Sequence, residues 1–256
     1  MLDIGLTSVT FRTLTAFDVI KCCKKYGIDR IEWGSDVHVP IGDTLNATQI
    51  KQECEKNGIL ISSYGTYYRC GAYSDAKAEF SKYVEIAKIL DAKTMRIWVG
   101  EKNFEDADEE YIEKIVNKLK IICDMAKEEN IHIGCEFHGG SLCNNKENSL
   151  EIVKRVNREN FGMYFQYDWN YNLEENCNTL KGFIPILKNV HVFNVNTDGR
   201  HSLGENKGKV IWEKFIQILK ENKVSTTLLF EFLPERTEEC LRKETDILRN
   251  MVGIEK

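Results

Sequence analysis

The chain has 256 residues, 42% of them hydrophobic and 29% charged, with a formal net charge of −5. That composition supports a folded chain with a sizeable core, and its acidic balance excludes the basic stripe a nucleic-acid surface needs. No apolar run approaches the roughly 20 residues that span a bilayer.

The N-terminal stretch "MLDIGLTSVTFRT" opens as a strand, without a basic lead or a small-residue cleavage site, so no signal peptide is expected. Nine cysteines, an odd number with no C-x-x-C pair, fit a soluble cytoplasmic protein with reduced thiols. Cys23, Cys123 and Cys135 fall at apolar-face positions, where cysteine behaves as a small hydrophobe.

In chain order, strands are expected at "DIGLTSV" (3–9), "IDRIEW" (28–33), "ILISSYG" (59–65) and "TMRIWVG" (94–100). They continue with "IHIGCEFH" (131–138), "FGMYFQ" (161–166), "NVHVFNV" (189–195) and "TLLFEFL" (227–233). Amphipathic helices lie between them. One over 75–90 puts Phe80, Val84, Ala87 and Leu90 on one face behind a Ser74-Asp75 cap. Another over 108–127 carries Ile112, Ile115, Leu119, Ile122 and Ala126 at helical spacing. Its acidic first turn suits the positive end of the helix dipole. The helix between the sixth and seventh strands is expected to be short and interrupted by Pro185, and the last covers 236–251.

Strand and helix alternate throughout, which implies a parallel sheet of the α/β class. Eight such units in a chain of this length fit a closed (β/α)8 TIM barrel. The competing doubly wound open sheet would show G-x-G-x-x-G after its first strand, and none is present. Without a linker rich in Pro, Gly or Ser, residues 1–256 are expected to form a single domain.

A barrel draws its catalytic groups from the C-terminal ends of its strands. Strand two ends at Glu32 and is followed by His38, and strand four carries Arg96. Strand five ends in Glu136 and His138, which share a face because side chains two apart on a strand do. Strand six leads to Gln166 and Asp168, strand seven contains His191, and strand eight contains Glu231. Each has a structural alternative: Arg96, inside an apolar strand, is also an ion-pair candidate for Glu32 or Glu136. Tyr64, Tyr67 and Tyr68 in "SSYGTYYRCG" are candidates for a pocket wall or for packing under a loop.

Two carboxylates, an imidazole nitrogen and a carbonyl oxygen suit a divalent cation such as Mn, Mg, Co or Zn. A cation in an open site can hold the carbonyl and hydroxyl oxygens of a polyol and stabilise the enediolate formed on deprotonation. A neighbouring Glu then serves as base. That is isomerisation or epimerisation.

These segments resemble the xylose isomerase-like TIM-barrel family of sugar isomerases and epimerases. The matching stretches are "RIEWGSDVHVPIGD", "SSYGTYYR", "MRIWVG", "CEFHGG", "NVHVFN", "RHSLGENKGKVIW" and "LFEF", over essentially the full chain. The resemblance implies a metal held by Glu136, Gln166, His191 and Glu231, with Glu136 and Glu231 also acting as the proton-transfer pair. Gln166 departs from the Asp usual in the family. The formal ligand charge becomes −2 instead of −3, which weakens a divalent site, and Asp168 is the rival ligand. The DNA-cleaving relatives use a larger His and Asp set than this chain offers.

The expected function is therefore a metal-dependent isomerase or epimerase of a small sugar or polyol. The alternatives are a non-catalytic sugar-binding or regulatory barrel and a polyol dehydratase on the same ligands. Substrate contacts are expected from His38, Tyr64, Arg96, His138 and Arg200, the last in the Gly-rich loop "TDGRHSLGENKG". Neither nucleic acid nor membrane is expected as a partner, and homo-oligomer formation is left open.

Overall fold

A computed structural model describes residues 1–72 and 74–254, apart from the side chain of Asn206. The barrel strands are β1 (Leu2–Thr7), β2 (Arg30–Gly34), β3 (Leu60–Cys70), β4 (Thr94–Val99), β5 (His132–Glu136), β6 (Phe161–Phe165), β7 (Leu187–Val192) and β10 (Thr226–Phe230). Every neighbouring pair is parallel, and β1 pairs with both β2 and β10, so the sheet closes on itself. Closure leaves no exposed sheet edge. A two-stranded antiparallel ribbon, β8 (Val195–Asn196) and β9 (Gly199–Arg200), follows β7.

The helices are α1 (Ala16–Tyr26), α2 (Thr44–Asn57), α3 (Ala76–Leu90), α4 (Glu109–Glu128), α5 (Lys146–Val156), α6 (Leu173–Phe183), α7 (Asn206–Glu221) and α8 (Glu238–Val252). Each packs against the next, and α8 returns to α1. The result is a (β/α)8 TIM barrel. Short polar side chains start these helices where the sequence changes period. Asp75 accepts from the Ala78 amide, Asp108 from Tyr111 and Thr237 from Cys240. Each such cap stabilises its helix by about 1 kcal/mol.

Two local expectations change. Pro185 does not interrupt α6, which is closed at its start by an Asn172–Glu175 capping box. The proline instead sits in the separate 3-10 turn Ile184–Ile186 that leads into β7. β3 runs past the expected Gly65 to Cys70, with its register against β4 shifting between Gly65 and Arg69. Within that irregular stretch Tyr67 has a φ of +53°, a left-handed conformation that is uncommon for an aromatic residue.

Strand parity decides what the barrel interior sees. Ser63 points inward and donates to Glu32 Oε2 at 2.9 Å. Its neighbour Tyr64 therefore points outward, where its hydroxyl donates to the Val39 carbonyl at 2.8 Å. Gly134 on β5 leaves room for the Tyr164 ring, since a Cβ there would stand 2.3 Å from it and force a shift. The ring fills the interior beside His191, with 5.3 Å between ring centroids.

Candidate metal centre

Glu136 is the last residue of β5, and His191 lies one residue before the end of β7. Gln166 and Glu231 each follow the last residue of their strand, β6 and β10. All four are buried at the C-terminal rim, where the parallel strands deliver them to one point. Ligand atoms of Glu136, His191 and Glu231 lie within 4.8 Å of one another. His191 Nδ1 is 3.1 Å from Gln166 Oε1, 3.4 Å from Glu231 Oε2 and 3.9 Å from Glu136 Oε1.

This arrangement fits a divalent cation. Nδ1 of His191 faces three oxygens belonging to three different strands. Glu231 Oε2 is fully buried yet has no aligned hydrogen-bond donor, despite its approach to Nδ1. A buried acceptor left in that state is costly unless something else fills its coordination. Two carboxylates, an amide carbonyl and an imidazole form the mixed oxygen and nitrogen set that Mn, Co and Zn accept, and Mg less readily.

Behind these groups lies a second layer. Glu32 on β2 accepts from Arg96 Nε at 2.9 Å and places the same oxygen, Oε1, 3.6 Å from His191 Nε2. Arg96 reaches across to Glu136 through Nη1, and Trp98 Nε1 donates to the same Glu136 oxygen at 2.6 Å. Glu136 is thus anchored through Oε2 and presents Oε1 to the centre. The guanidinium passes directly over Gly65, where a Cβ would stand 2.7 Å from Arg96 Nη2.

The electrostatics follow from three buried carboxylates around one guanidinium and one imidazole. Burial alone would raise the Glu32 carboxyl, but Arg96 and His191 outweigh it and hold the pKa at about 2. Burial would likewise lower His191, yet Glu231 and Glu32 raise it to about 10. Burial also works against ionisation of Glu231, and the charge of the adjacent His191 leaves that carboxyl below its ordinary value.

Above the cluster opens a cavity of about 450 Å³ whose walls include Arg12, Tyr67, Trp98, His138, Tyr167, Trp169 and Phe232. Arg96 and His138, expected at the substrate, both line it. His138 is carried there not by strand parity but by the turn that follows Glu136, and its ring stacks on Trp98 at 4.2 Å. Arg200, on β9, lies over Phe232 with its guanidinium carbon 4.9 Å from the ring centroid.

Arg200 itself is not part of the lining, and two other expected contacts are turned away from the cavity altogether. Tyr64 faces the helical layer. His38 is buried against Trp33 outside the barrel wall, with Nε2 3.1 Å from the Leu14 carbonyl. Tyr67, three residues after Tyr64, supplies the wall instead, because the register shift in β3 turns it over Arg96. Asp168 lines the cavity, but its Oδ1 is engaged by the amide and side chain of Asn170 at 2.8 Å each. Arg12 and Trp98 carry no local signal in the sequence and are brought in by the tertiary fold.

Fold and site together define a (β/α)8 barrel with a buried carboxylate–imidazole cluster at its catalytic rim. Residues 20–251 match the xylose isomerase-like TIM barrel family, and the chain belongs to that family. It is 20% identical to a 3-dehydroshikimate dehydratase of Bacillus anthracis, with 96% of each chain covered. Among solved structures it is similar to IOLI protein with a binding zinc atom, at a TM-score of 0.80 and 19% identity over 98% of each chain. It is also similar to D-psicose 3-epimerase from Clostridium cellulolyticum H10, at a TM-score of 0.79 and 13% identity, covering 98% of this chain and 99% of that one.

Proposed function

We propose that the protein is a divalent-metal-dependent isomerase or epimerase of a small sugar or polyol. The observation that carries this reading is the convergence of Glu136, His191 and Glu231 ligand atoms within 4.8 Å at the floor of an aromatic-walled cavity. Those three residues and Gln166 would hold the cation. When bound, it supplies Lewis-acid polarisation of a substrate carbonyl and an adjacent hydroxyl.

The protein's own groups do the rest. One carboxylate removes a proton from the carbon beside the carbonyl, and the C–H electron pair moves into an enediolate. A carboxylate then returns a proton to carbon, on the same or the neighbouring atom. Glu231 is assigned the first transfer because its Oε2 has no hydrogen-bond donor, whereas Glu136 is fixed by Arg96 and Trp98. Tyr67, Trp98 and Phe232 limit water around the reacting carbon, which strengthens the electrostatic contacts within.

A second reading, dehydration of a polyol, uses the same proton removal but expels hydroxide from the next carbon instead of returning the proton. The similarity to a 3-dehydroshikimate dehydratase supports it. The test is a Mn²⁺ titration followed by a sugar and polyol panel in deuterated water, read by mass. Deuterium uptake supports isomerisation, and loss of one water supports dehydration. Binding without either leaves a non-catalytic sugar-binding barrel. Failure to bind Mn²⁺, with or without sugar, ends the metalloenzyme reading.

A further inference from the structure

Cations are distributed unevenly around the walls of the cavity. Three arginines lie on aromatic or phenolic wall residues. Arg12 donates to the Tyr67 hydroxyl at 3.0 Å, Arg69 stacks on Trp98 with its guanidinium carbon 3.8 Å from the ring centroid, and Arg200 lies over Phe232. Arg12 is neutralised by Asp36 at 2.6 Å. Among the described residues, Arg69 and Arg200 form no ion pair, and the only hydrogen bond of the Arg69 guanidinium is a long one, 3.5 Å to the Gly140 carbonyl.

Elsewhere in this acidic chain, three arginines on the outer surface find carboxylates. Arg155 contacts Glu109, Glu113 and Glu151, Arg158 contacts Asp124, and Arg242 contacts Glu239 and Asp246. Acids are therefore plentiful, yet none is placed against Arg69 or Arg200. Burial and the neighbouring charge of Arg236 lower the Arg200 pKa, against the opposing pull of the Glu231 carboxylate at the floor of the site. Stacking on a ring holds each guanidinium in place while leaving its N–H edge open for a planar or tetrahedral oxyanion.

We propose that the cavity selects an anionic polyol, whose carboxylate or phosphate is bound at the mouth by Arg69 or by Arg200, which stack on opposite walls, while its hydroxyl or carbonyl oxygens face Glu136, His191 and Glu231. This rests on the proposed function for the floor of the site and adds the charge of the substrate. The anion and the reacting carbons occupy different ends of one molecule. Remote binding through the anion then orients the reacting carbons over the two carboxylates.

The test compares three probes of equal chain length, ribitol, ribonate and ribitol 5-phosphate, by calorimetry on the Mn²⁺-loaded protein. At least one anion should bind about tenfold or more tightly than ribitol, as a charge-assisted Arg contact provides. Whichever anion leads identifies carboxylate or phosphate as the group recognised. The advantage should shrink with added salt and disappear in a doubly substituted Arg69→Gln, Arg200→Gln protein whose melting temperature matches the wild type. Equal affinity for the three probes, no binding of either anion, or a preference that survives the double substitution overturns the proposal. The wild-type comparison needs no variant to fold. Mn²⁺ binding is read in a separate titration, so loss of the metalloenzyme reading is distinguishable from loss of the anion site.

Discussion

Oε1 of Glu32 stands 3.6 Å from Nε2 of His191, on the opposite side of the ring from the nitrogen that faces Gln166, Glu136 and Glu231. A carboxylate in that position favours a proton on Nε2 and leaves Nδ1, the candidate ligand atom, facing the other three strands. The same Glu32 oxygen accepts from Arg96, which in turn anchors Glu136. One buried side chain on β2 therefore orients two of the candidate ligands without being one itself.

Replacing Glu32 with Gln should accordingly weaken Mn²⁺ binding by about ten- to a hundredfold, the usual cost of losing an outer-shell partner. It should also destabilise the metal-free fold by roughly 3–5 kcal/mol at neutral pH, because Arg96 loses a buried counter-charge. The acid dependence has a definite sign. Glu32 has its pKa lowered from 4.5 to about 2, so its contribution is complete above the unfolded value and is lost as pH falls through about 2. Denaturant melts of both proteins should converge over that window. A constant gap down to the lowest pH would show that Glu32 acts through shape alone.

Metal affinity should depend on pH well above the ordinary imidazole range. His191 is raised to about 10 in the metal-free protein, so a cation must displace a proton from it at every pH below that value. Apparent Mn²⁺ affinity should rise by about tenfold per pH unit and continue to do so between about pH 7 and 9. An ordinary histidine would give a plateau there. Titrations at intervals across this range decide between a plateau and a continued rise.

The ligand at the sixth strand is tested by charge. Changing Gln166, whose Oε1 lies 3.1 Å from His191 Nδ1, to Asp adds a negative charge on this side of the cluster and should tighten Mn²⁺ binding, whereas Glu136→Gln should weaken it. Asp168→Asn should have the smaller effect, since its Oδ1 already accepts two bonds from Asn170. A larger loss at 168 than at 136 would move the sixth-strand ligand two residues along the chain and reject the present ligand set.

Gly134→Ala should destabilise the barrel by roughly 1–3 kcal/mol, the range for overpacking a rigid interior. Its Cβ would stand 2.3 Å from Tyr164, which is itself fully buried beside His191. Because Glu136 is two residues along the same strand, Mn²⁺ affinity should fall together with melting temperature. Unchanged values for both would show that Tyr164 has room to move.

The sequence by itself determined the barrel and proposed the four residues that meet at its rim. Alternating strand and helix periods are local properties, set by φ/ψ preference and by burial of one face, and they repeat in this chain from β1 to α8. Parallel strands place their C-terminal ends on one rim, so Glu136, Gln166, His191 and Glu231 could be expected there among other polar strand ends, and the family resemblance singled them out as a candidate ligand set. Tertiary structure decided which way the remaining polar groups face. Tyr64 and His38 look like rim residues in one dimension, but parity turns Tyr64 toward the helices and packing buries His38 behind Trp33. Tyr67 enters the cavity only because the β3 register shifts after Gly65. Arg96 shows the same limit from the other side. The sequence offered Glu32 or Glu136 as its partner, and the folded barrel gives it both, because a guanidinium has donors on two edges and Gly65 leaves it room to span them.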